Sequence, residues 1–408
     1  MADKKPIIMV SSWPPRKCGI ATFAEEALEF IQKQEPDRPC YTISHTDGAG
    51  DNVFPIIDMD REDWYKPVAD KIHELDPYVV HLQHEYGLYN YVDENGESDL
   101  NHGFLRLLEE IEDVPRVVEP HTVHGRMKDH EEQFVHKLAP RTNILFLKCR
   151  YQKWRLEWNF SAHKWDLPRN IMIIPHGARP DRRYAIDEVS ALKDELGLGH
   201  LKDKHVIGLV GWIQQNKRWD IVTDMWEDIC DTIREKTGKE WVLLAAGDLR
   251  DPHDIGAYAE YMGGVKVLAE KGLADFFKFT PRGVVYYKVM AICDFVLLPS
   301  LDETQSGTLA RIMALNKPFV TTAPLEGLTA QTLESEGGLL FTNKDMLRQK
   351  IIRLATDEGL RWELGHNLYQ YLMNVISWEV VARQYFEAYE MANAEVHENQ
   401  IVDIRPEF

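Results

Sequence analysis

The segment LPSLDETQSGTLARIMALNKPFVTT, residues 298–322, combines side chains suited to an anionic ligand with side chains suited to a polar one. An acidic pair ending in Glu303 precedes Ser306-Gly307-Thr308, which we expect to start a helix. The first backbone N–H groups of a helix have no partner inside the helix, and they attract phosphate groups. We therefore predict that Ser306, Gly307 and Thr308 bind a diphosphate. Glu303 would lie beside them and accept hydrogen bonds from sugar hydroxyls.

The segment GLVGWIQQNKRWD, residues 208–220, predicts a strand, a loop and a helix that opens at Lys217 and Arg218. Two adjacent cations at a helix start oppose the helix dipole. That arrangement is easiest to understand if an anion lies between the cations and the backbone amides, with Lys217 facing the diphosphate. The alternative is a solvated pair of cations without a ligand.

The segment SSWPPRKCGIATF, residues 11–23, predicts a strand, a tight loop containing Gly19, and a helix that begins near Thr22. Such a loop forms a pocket lined by backbone, which can accept a phosphate or a sugar. It matches neither the dinucleotide-binding glycine pattern nor the P-loop pattern. The alternative is an ordinary turn between a strand and a helix.

Two H-x-x-H spacings, His81/His84 and His121/His124, have the ligand types of a metal site. Residues i and i+3 of a strand point to opposite faces, so we predict that neither pair chelates a metal. His121 follows an apolar run, at the position where a strand should meet a ligand cleft. It is a candidate for sharing a proton with a sugar hydroxyl, and the alternative is a loop histidine bonded to backbone.

The segment IIDMDRED, residues 56–63, resembles a D-x-D metal clamp. A competing interpretation is a helix start, with Asp60 as the N-cap and Asp63 in the first turn, before Trp64 and Val68 at helical spacing. We prefer the helix start, because helices routinely need such residues. The sequence therefore predicts no metal and no cofactor.

Short apolar runs alternate with amphipathic segments along most of the chain, which predicts two parallel sheets covered by helices on both faces. The resulting α/β fold has two doubly wound domains, and ligands should bind at the carboxyl ends of their strands. The segment from Pro175 to Val189 is the expected linker, and the chain after Phe341 has a helical pattern throughout. The predicted strands are Ile7–Val10, Tyr41–Ile43, Val53–Ile57, Val79–Leu82, Arg116–Val118, Ile144–Leu147, Met172–Ile174, Val206–Val210, Trp241–Ala245, Phe276–Phe279, Phe295–Leu298, Phe319–Thr321 and Leu339–Phe341.

The composition narrows the class of protein. The chain has 408 residues, a hydrophobic fraction of 44% and a formal net charge of −19. The length favours two domains, and the negative charge argues against a nucleic acid or an anionic membrane as partner. The 5 cysteines are scattered without C-x-x-C spacing, which is typical of a reduced cytoplasmic protein. No apolar run is long enough for a transmembrane segment.

Together these segments resemble the retaining glycosyltransferases of family four, which have the GT-B fold. The resemblance covers nearly the whole chain and rests on PPRKCGIATF, VVHLQHEYG, PHTVHG, IIPHG, GLVG with the lysine six residues after Gly211, and CDFVLLPSLDETQSGTLARIMALNKPFVTT. PPRKCGIATF and QSGTLA are similar to one bacterial subgroup. The resemblance implies an N-terminal acceptor-side domain at residues 1–178, a donor domain at 190–375 and a final helix at 376–408 that crosses back to the first domain.

The resemblance implies a metal-independent hexosyltransferase that uses a nucleotide-diphosphate sugar of the GDP-mannose or UDP-glucose type. His121, Glu303 and Lys217 would be its catalytic residues, and a sugar, polyol or other small hydroxyl compound its acceptor. The oligomeric state stays open, a homo-oligomer included. The donor would be bound by Gly19, Gly211, Lys217, Arg218, Glu303, Gln305, Ser306, Gly307, Thr308 and Arg311, and the acceptor by Arg16, Lys17, His84 and Glu85.

The chain departs from the family pattern at three places. Trp212 replaces an arginine of the phosphate loop, Arg311 replaces the second signature glutamate, and Gln305-Ser306 replaces an aromatic residue and a glycine. Trp212 and Arg311 motivate one alternative, a sugar-nucleotide binding protein without catalytic activity. A nucleotide-sugar epimerase of the same two-domain fold is a second alternative.

Overall fold

The computed structural model describes residues 4–123, 127–301, 306–324 and 326–405. It divides into two compact units: unit 1 comprises residues 1–176 and 378–408, and unit 2 comprises residues 177–377. Each unit contains one parallel sheet covered by helices. The predicted α/β fold with two doubly wound domains is confirmed.

Unit 1 contains a seven-stranded sheet in the order β3-β2-β1-β4-β5-β6-β7. Its strands are β1 (Ile7–Ser11), β2 (Cys40–His45), β3 (Val53–Ile57), β4 (Val79–His84), β5 (Arg116–Pro120), β6 (Ile144–Leu147) and β7 (Ile171–Ile173), and its helices are α1 (Gly19–Gln34), α2 (Tyr65–Leu75), α3 (His102–Glu110), α4 (Asp129–Leu138) and α5 (Arg150–Ala162). The inner strands β1, β4, β5 and β6 are fully buried, as expected for a parallel sheet between two helical layers, whereas the edge strands β3 and β7 are partly exposed.

Unit 2 contains a six-stranded sheet in the order β10-β9-β8-β11-β12-β13. In chain order its elements are α6 (Glu188–Glu195), β8 (His205–Ile213), α7 (Asp220–Thr223), α8 (Trp226–Thr237), β9 (Trp241–Leu249), α9 (Ile255–Glu270), β10 (Ala274–Lys278), α10 (Gly283–Ala291), β11 (Phe295–Leu298), α11 (Gly307–Ala314), β12 (Phe319–Thr322), α12 (Glu326–Ser335), β13 (Gly338–Phe341), α13 (Lys344–Thr356) and α14 (Glu358–Tyr371). A π-helical turn, Leu372–Ile376, follows α14.

The last helix, α15 (Trp378–Glu398), belongs to unit 1. Its apolar face, which includes Trp378, Tyr385 and Tyr389, packs with α1 and with the residues of β1 that point to the same side. The indole Nε1 of Trp378 also donates a hydrogen bond of 3.2 Å to Glu26. The final helix thus completes one of the two core layers of unit 1.

Three helix starts differ from the predictions. Helix α1 begins at Gly19, three residues before Thr22. Helix α2 begins at Tyr65, so Asp60 is not its N-cap; the carboxylate of Asp58 accepts the Asp60 amide at 3.1 Å and forms a local turn instead. No helix opens at Lys217, because that residue ends a short 3-10 turn and α7 follows only later.

Candidate functional site

Both sheets reverse their strand order between two central strands, and that is where doubly wound sheets bind ligands. In unit 1 the reversal lies between β1 and β4, and in unit 2 between β8 and β11. The residues directly after these strands are therefore the candidates for ligand contact. In unit 2 they are the loop from Gln214 to Arg218 and the turn at Pro299-Ser300.

Close packing of backbone fixes the end of β8. Gly211 has φ +143°, and a Cβ placed there would lie 3.1 Å from the Tyr286 hydroxyl and 3.4 Å from Thr308 Oγ1. Its carbonyl oxygen would lie only 1.9 Å from a Cβ at Gly247, its register partner on β9. Both positions therefore require glycine, and the end of β8 lies directly beside the start of α11.

A small cavity at this place brings together residues from three segments. It is lined by Lys217 from the loop, by Ser300 after β11, and by Thr308 in the first turn of α11. The Leu301 amide donates a 2.8 Å hydrogen bond to the Asn216 carbonyl, which ties the loop to the segment after β11. A cation, two hydroxyls and the first turn of α11 thus meet at a cavity of about 10 Å³, which is otherwise lined mainly by apolar side chains and has room for about one phosphate oxygen.

The start of α11 has the amides that the sequence predicted, but one hydroxyl is used within the helix. Ser306 is the N-cap, and its Oγ accepts the Leu309 amide at 3.3 Å. The amides of Gly307 and Thr308 have no partner within the helix, because the ladder of helical hydrogen bonds starts one turn later. Ser306 is therefore a cap, and the Thr308 hydroxyl, 2.7 Å from the Tyr286 hydroxyl, is the one that lines the cavity.

Ser300 was not predicted as a site residue. It is fully buried, it lines the cavity, and its Oγ has no hydrogen-bond partner within the described part of the chain. A buried hydroxyl without a partner is costly unless a ligand or water satisfies it. Its position after an apolar strand of the sheet centre was the available signal, because such positions meet the ligand in doubly wound folds.

The guanidinium of Arg311 holds the first turn of α11. Its Nη1 donates a 2.8 Å hydrogen bond to the Gly307 carbonyl, and it lies over the rings of Tyr286 and Tyr287 at 5.2 and 5.6 Å. This cation is mostly buried. Arg311 thus supports the helix start and adds positive charge close to it.

The surroundings of Arg218 do not support its predicted contact with the donor, because Asp220 already neutralises its charge. Its backbone is left-handed, with φ +50°, and its guanidinium forms a bidentate pair with Asp220 at 2.9 to 3.1 Å. The same loop borders a second cavity of about 730 Å³, where Asp220, Asp254 and Glu260 outnumber this one arginine. That acidic lining disfavours a diphosphate, so the cavity at Lys217 is the better anion site.

In unit 1, His121 lies directly after β5 and contacts residues of two other sequence motifs. Its Nε2 lies 2.7 Å from the Gln83 side-chain oxygen, its backbone amide donates to the His84 carbonyl, and its ring packs edge-on against Phe23. Phe23 packs in the same way against His176. Desolvation, with a smaller contribution from His81, lowers the pKa of His121 to about 3. The imidazole is therefore neutral at physiological pH.

The predicted acceptor residues have different surroundings. Glu85 lies close to His121, because its carboxylate accepts a 2.5 Å hydrogen bond from the hydroxyl of Thr122, the residue after His121. Arg16 is half-buried and pairs with Asp47 at 3.5 Å, while Lys17 is exposed. These positions follow the two strands at the reversal of the sheet.

His84 and Gly19 do not have the surroundings expected of ligand contacts. His84 is only 1% exposed, bonds Asn101 at 3.1 Å and stacks on Phe134, so its position does not support an acceptor role. Gly19 is exposed and has open space where a side chain would lie. No packing within the described part of unit 1 therefore requires a glycine there.

Metal ligands are not gathered anywhere in the described residues, where no group of three or more His, Cys, Asp or Glu side chains could hold an ion. His81 and His84 face opposite sides of β4, since His81 contacts Tyr389 whereas His84 contacts Phe104. His124, Glu303 and Gln305 lie outside the described residues. None of the described helices is long and apolar enough to cross a membrane.

Comparison with known proteins finds similarity in sequence for part of unit 2 and similarity in structure for nearly the whole chain. The family model "Glycosyl transferases group 1" matches residues 204–357. A glycogen synthase of Lachnoclostridium phytofermentans is 26% identical over 226 residues, which are 53% of this chain but only 44% of the synthase. The match thus spans less than half the length of that enzyme.

Solved structures resemble nearly the whole chain. Anabaena HepE in complex with UDP has a TM-score of 0.69 at 16% identity, over 94% of this chain and 99% of HepE. The sucrose-phosphate synthase of Thermosynechococcus elongatus has a TM-score of 0.70 at 12% identity, over 95% and 99% of the two chains. At these identities the structures establish the GT-B fold.

Proposed function

We propose that the protein is a retaining glycosyltransferase that moves a hexose from a nucleotide-diphosphate sugar to a hydroxyl acceptor. The observation that carries this proposal is the cavity formed by Lys217, Ser300 and Thr308 at the start of α11. It lies within the segment that matches the group 1 glycosyltransferase model. We also propose family four and the bacterial subgroup, on the motifs given above.

In the proposed reaction the diphosphate leaves with the charge that develops as its bond to the sugar breaks. The ammonium of Lys217, the hydroxyls of Ser300 and Thr308 and the amides at the helix start would stabilise that charge. Preorganised donors of this kind typically lower a barrier by several kcal/mol. Arg311 would hold the helix start in place, and Glu303 would bind the sugar hydroxyls.

Retention follows if the acceptor hydroxyl attacks from the face that the diphosphate leaves. The departing phosphate oxygen then takes the proton of the hydroxyl as the new C–O bond forms. His121, neutral and at a strand end, would bind a hydroxyl as a hydrogen-bond acceptor. No metal is needed in this scheme, because amides and Lys217 supply the positive field.

UDP-glucose is the first donor to test, because HepE was also crystallised with UDP-glucose. The purified protein is incubated with UDP-glucose or GDP-mannose and a panel of sugars and polyols. Release of nucleoside diphosphate is measured, and products are identified by mass spectrometry and by the anomeric coupling constant in NMR spectra.

The proposal expects a new glycoside with the anomeric configuration of the donor and a strong loss of product in Lys217→Ala. A glycoside of opposite configuration would contradict retention. An epimerised donor without a glycoside would identify the epimerase alternative, and binding without turnover for every pair would identify the binding protein.

A further inference from the structure

A cluster of buried polar side chains lies behind His121 in unit 1. We call it the Glu119 cluster. Its members come from β4, from β5, from the residue after β6 and from α15, and each is at most 2% exposed. They are His81, Gln83, Glu119, Lys148, Tyr385 and Tyr389.

The carboxylate of Glu119 is surrounded by donors. One oxygen accepts from the Lys148 ammonium and from the Tyr385 hydroxyl at 2.8 Å, and the other accepts from the Gln83 amide nitrogen at 2.7 Å. Burial lowers the pKa of the Lys148 ammonium well below its usual range. Glu119 is thus the acceptor for three donors, and Gln83 turns its NH₂ group toward it.

This orientation determines what Gln83 offers to His121. With its NH₂ group on Glu119, the Gln83 amide directs its carbonyl oxygen at His121 Nε2, 2.7 Å away. His81 Nε2 lies 2.9 Å from the Gln83 amide nitrogen and 3.1 Å from the same Glu119 oxygen, and His81 Nδ1 lies 2.7 Å from the Tyr389 hydroxyl. A carbonyl oxygen cannot donate, so His121 Nε2 must carry a proton.

We propose that Gln83 and Glu119 are positioning residues for His121: through this chain of hydrogen bonds they keep the proton of its ring on Nε2, which makes Nδ1 the accepting nitrogen of the ring. The proposal rests on the proposed function for its catalytic consequence, but the position of the proton stands on the geometry alone. Histidine in active sites commonly depends on such a partner for its tautomer.

A purely structural role for the cluster makes a different prediction. If Gln83 only fills and satisfies the core, its loss should lower stability and reduce activity in the same proportion whether or not His121 is present. If Gln83 acts through His121, its effect should vanish once the imidazole is gone.

The test is a double-mutant cycle with Gln83→Met, which keeps the length of the side chain but removes both polar atoms, and His121→Ala. We expect kcat to fall about 10-fold in Gln83→Met and about 10²-fold in His121→Ala, with the KM for the donor within about 2-fold of wild type. The double variant should equal His121→Ala. A double variant about 10-fold worse than His121→Ala would overturn the proposal.

Asn101→Gly is the matched control. It removes the hydrogen bond to His84, on the opposite face of the same strand, and glycine accepts the left-handed backbone of Asn101 at φ +65°. It should lower the unfolding midpoint while kcat stays within about 2-fold. A fall in kcat as large as that of Gln83→Met would assign both effects to stability.

A measurement without turnover separates this inference from the proposed function and also covers the case that Gln83→Met fails to fold. In ¹⁵N-histidine-labelled protein, His121, assigned by its absence in His121→Ala, should show a protonated Nε2 and an unprotonated Nδ1. A protonated Nδ1, or protons on both nitrogens at neutral pH, would refute the relay whether or not the protein transfers sugar. If the tautomer is as expected but no donor is turned over, the proposed function fails and the relay stands.

Discussion

Substitution of Lys217 by alanine tests the anion cavity most directly. The ammonium is half-buried and shares the cavity with Ser300 and Thr308. Two unit charges about 4 Å apart at the edge of a protein interact by about 4 kcal/mol, and partial exposure of the lysine reduces that figure. A loss of about 2.7 kcal/mol, a typical value for one donor to a developing anion, corresponds to about 10²-fold in kcat/KM.

The assay is initial-rate kinetics on the best donor and acceptor pair, together with calorimetry of the free nucleoside diphosphate. We expect kcat to fall further than diphosphate affinity, because charge on the diphosphate increases as the sugar leaves. Lys217→Arg should recover part of the rate. Lys271→Ala, which removes an exposed lysine paired with Glu227, is the control and should stay within about 2-fold.

A kcat/KM of Lys217→Ala within about 3-fold of wild type would refute this reasoning, because the lysine would then be a solvated cation. An unchanged kcat, with a KM that rises in proportion to the loss of diphosphate affinity, would assign to Lys217 ground-state binding alone. Only the solvated cation would move the site of the leaving group away from the end of β8.

Four further predictions follow from single features. Activity should survive EDTA, because the D-x-D segment is not expected to bind a metal. A loss of activity that Mg²⁺ or Mn²⁺ restores would support the D-x-D interpretation instead. Gly247→Ala should abolish donor binding or lower the unfolding midpoint sharply, because its Cβ meets the Gly211 carbonyl oxygen; a normal melting curve with normal donor affinity would contradict this. Burial lowers the pKa of His84 to about 3, so the imidazole stays neutral in the folded protein but takes a proton below about pH 6.5 in the unfolded chain. The free energy of unfolding should therefore fall by about 2 kcal/mol on account of this residue as the pH drops from 7 to 5. In denaturant titrations, His84→Phe should show a smaller fall over the same pH range. Glu303→Gln should leave binding of free diphosphate unchanged or tighter while transfer falls at least 10-fold, and equal weakening of both ligands in calorimetry would mean that the carboxylate only organises its loop.

The strands were predictable from sequence because a parallel sheet buries both faces of each strand, which leaves continuous apolar runs such as Phe295–Leu298. Helix starts were less predictable where polar side chains form local hydrogen bonds or ion pairs that compete with helix formation. The pair of Arg218 with Asp220 depends on a left-handed backbone that its sequence neighbours do not indicate. The sequence therefore placed a helix at Lys217 where the structure has a loop.

The candidate site was predictable in part, for a similar reason. Residues after strands were identifiable from the fold class, so Lys217 and Thr308 were predicted, and the structure places both at one cavity. The sequence could not predict that the buried hydroxyl of Ser300 lacks a hydrogen-bond partner, because its possible partners are residues far away in sequence. The same holds for the Glu119 cluster, which joins residues up to 308 positions apart, between His81 and Tyr389.

The return of α15 to unit 1 has a consequence for biosynthesis. Unit 2 is one uninterrupted stretch of chain, whereas unit 1 is split, and its last piece leaves the ribosome only after the whole of unit 2. Until then Glu119 lacks the Tyr385 hydroxyl, His81 lacks that of Tyr389, and one apolar layer of the first sheet is covered only in part, by α1. Unit 2 can therefore fold while translation continues, but the core layer behind His121 closes after it, and a chain cut before Trp378 should expose that layer to chaperones and proteases.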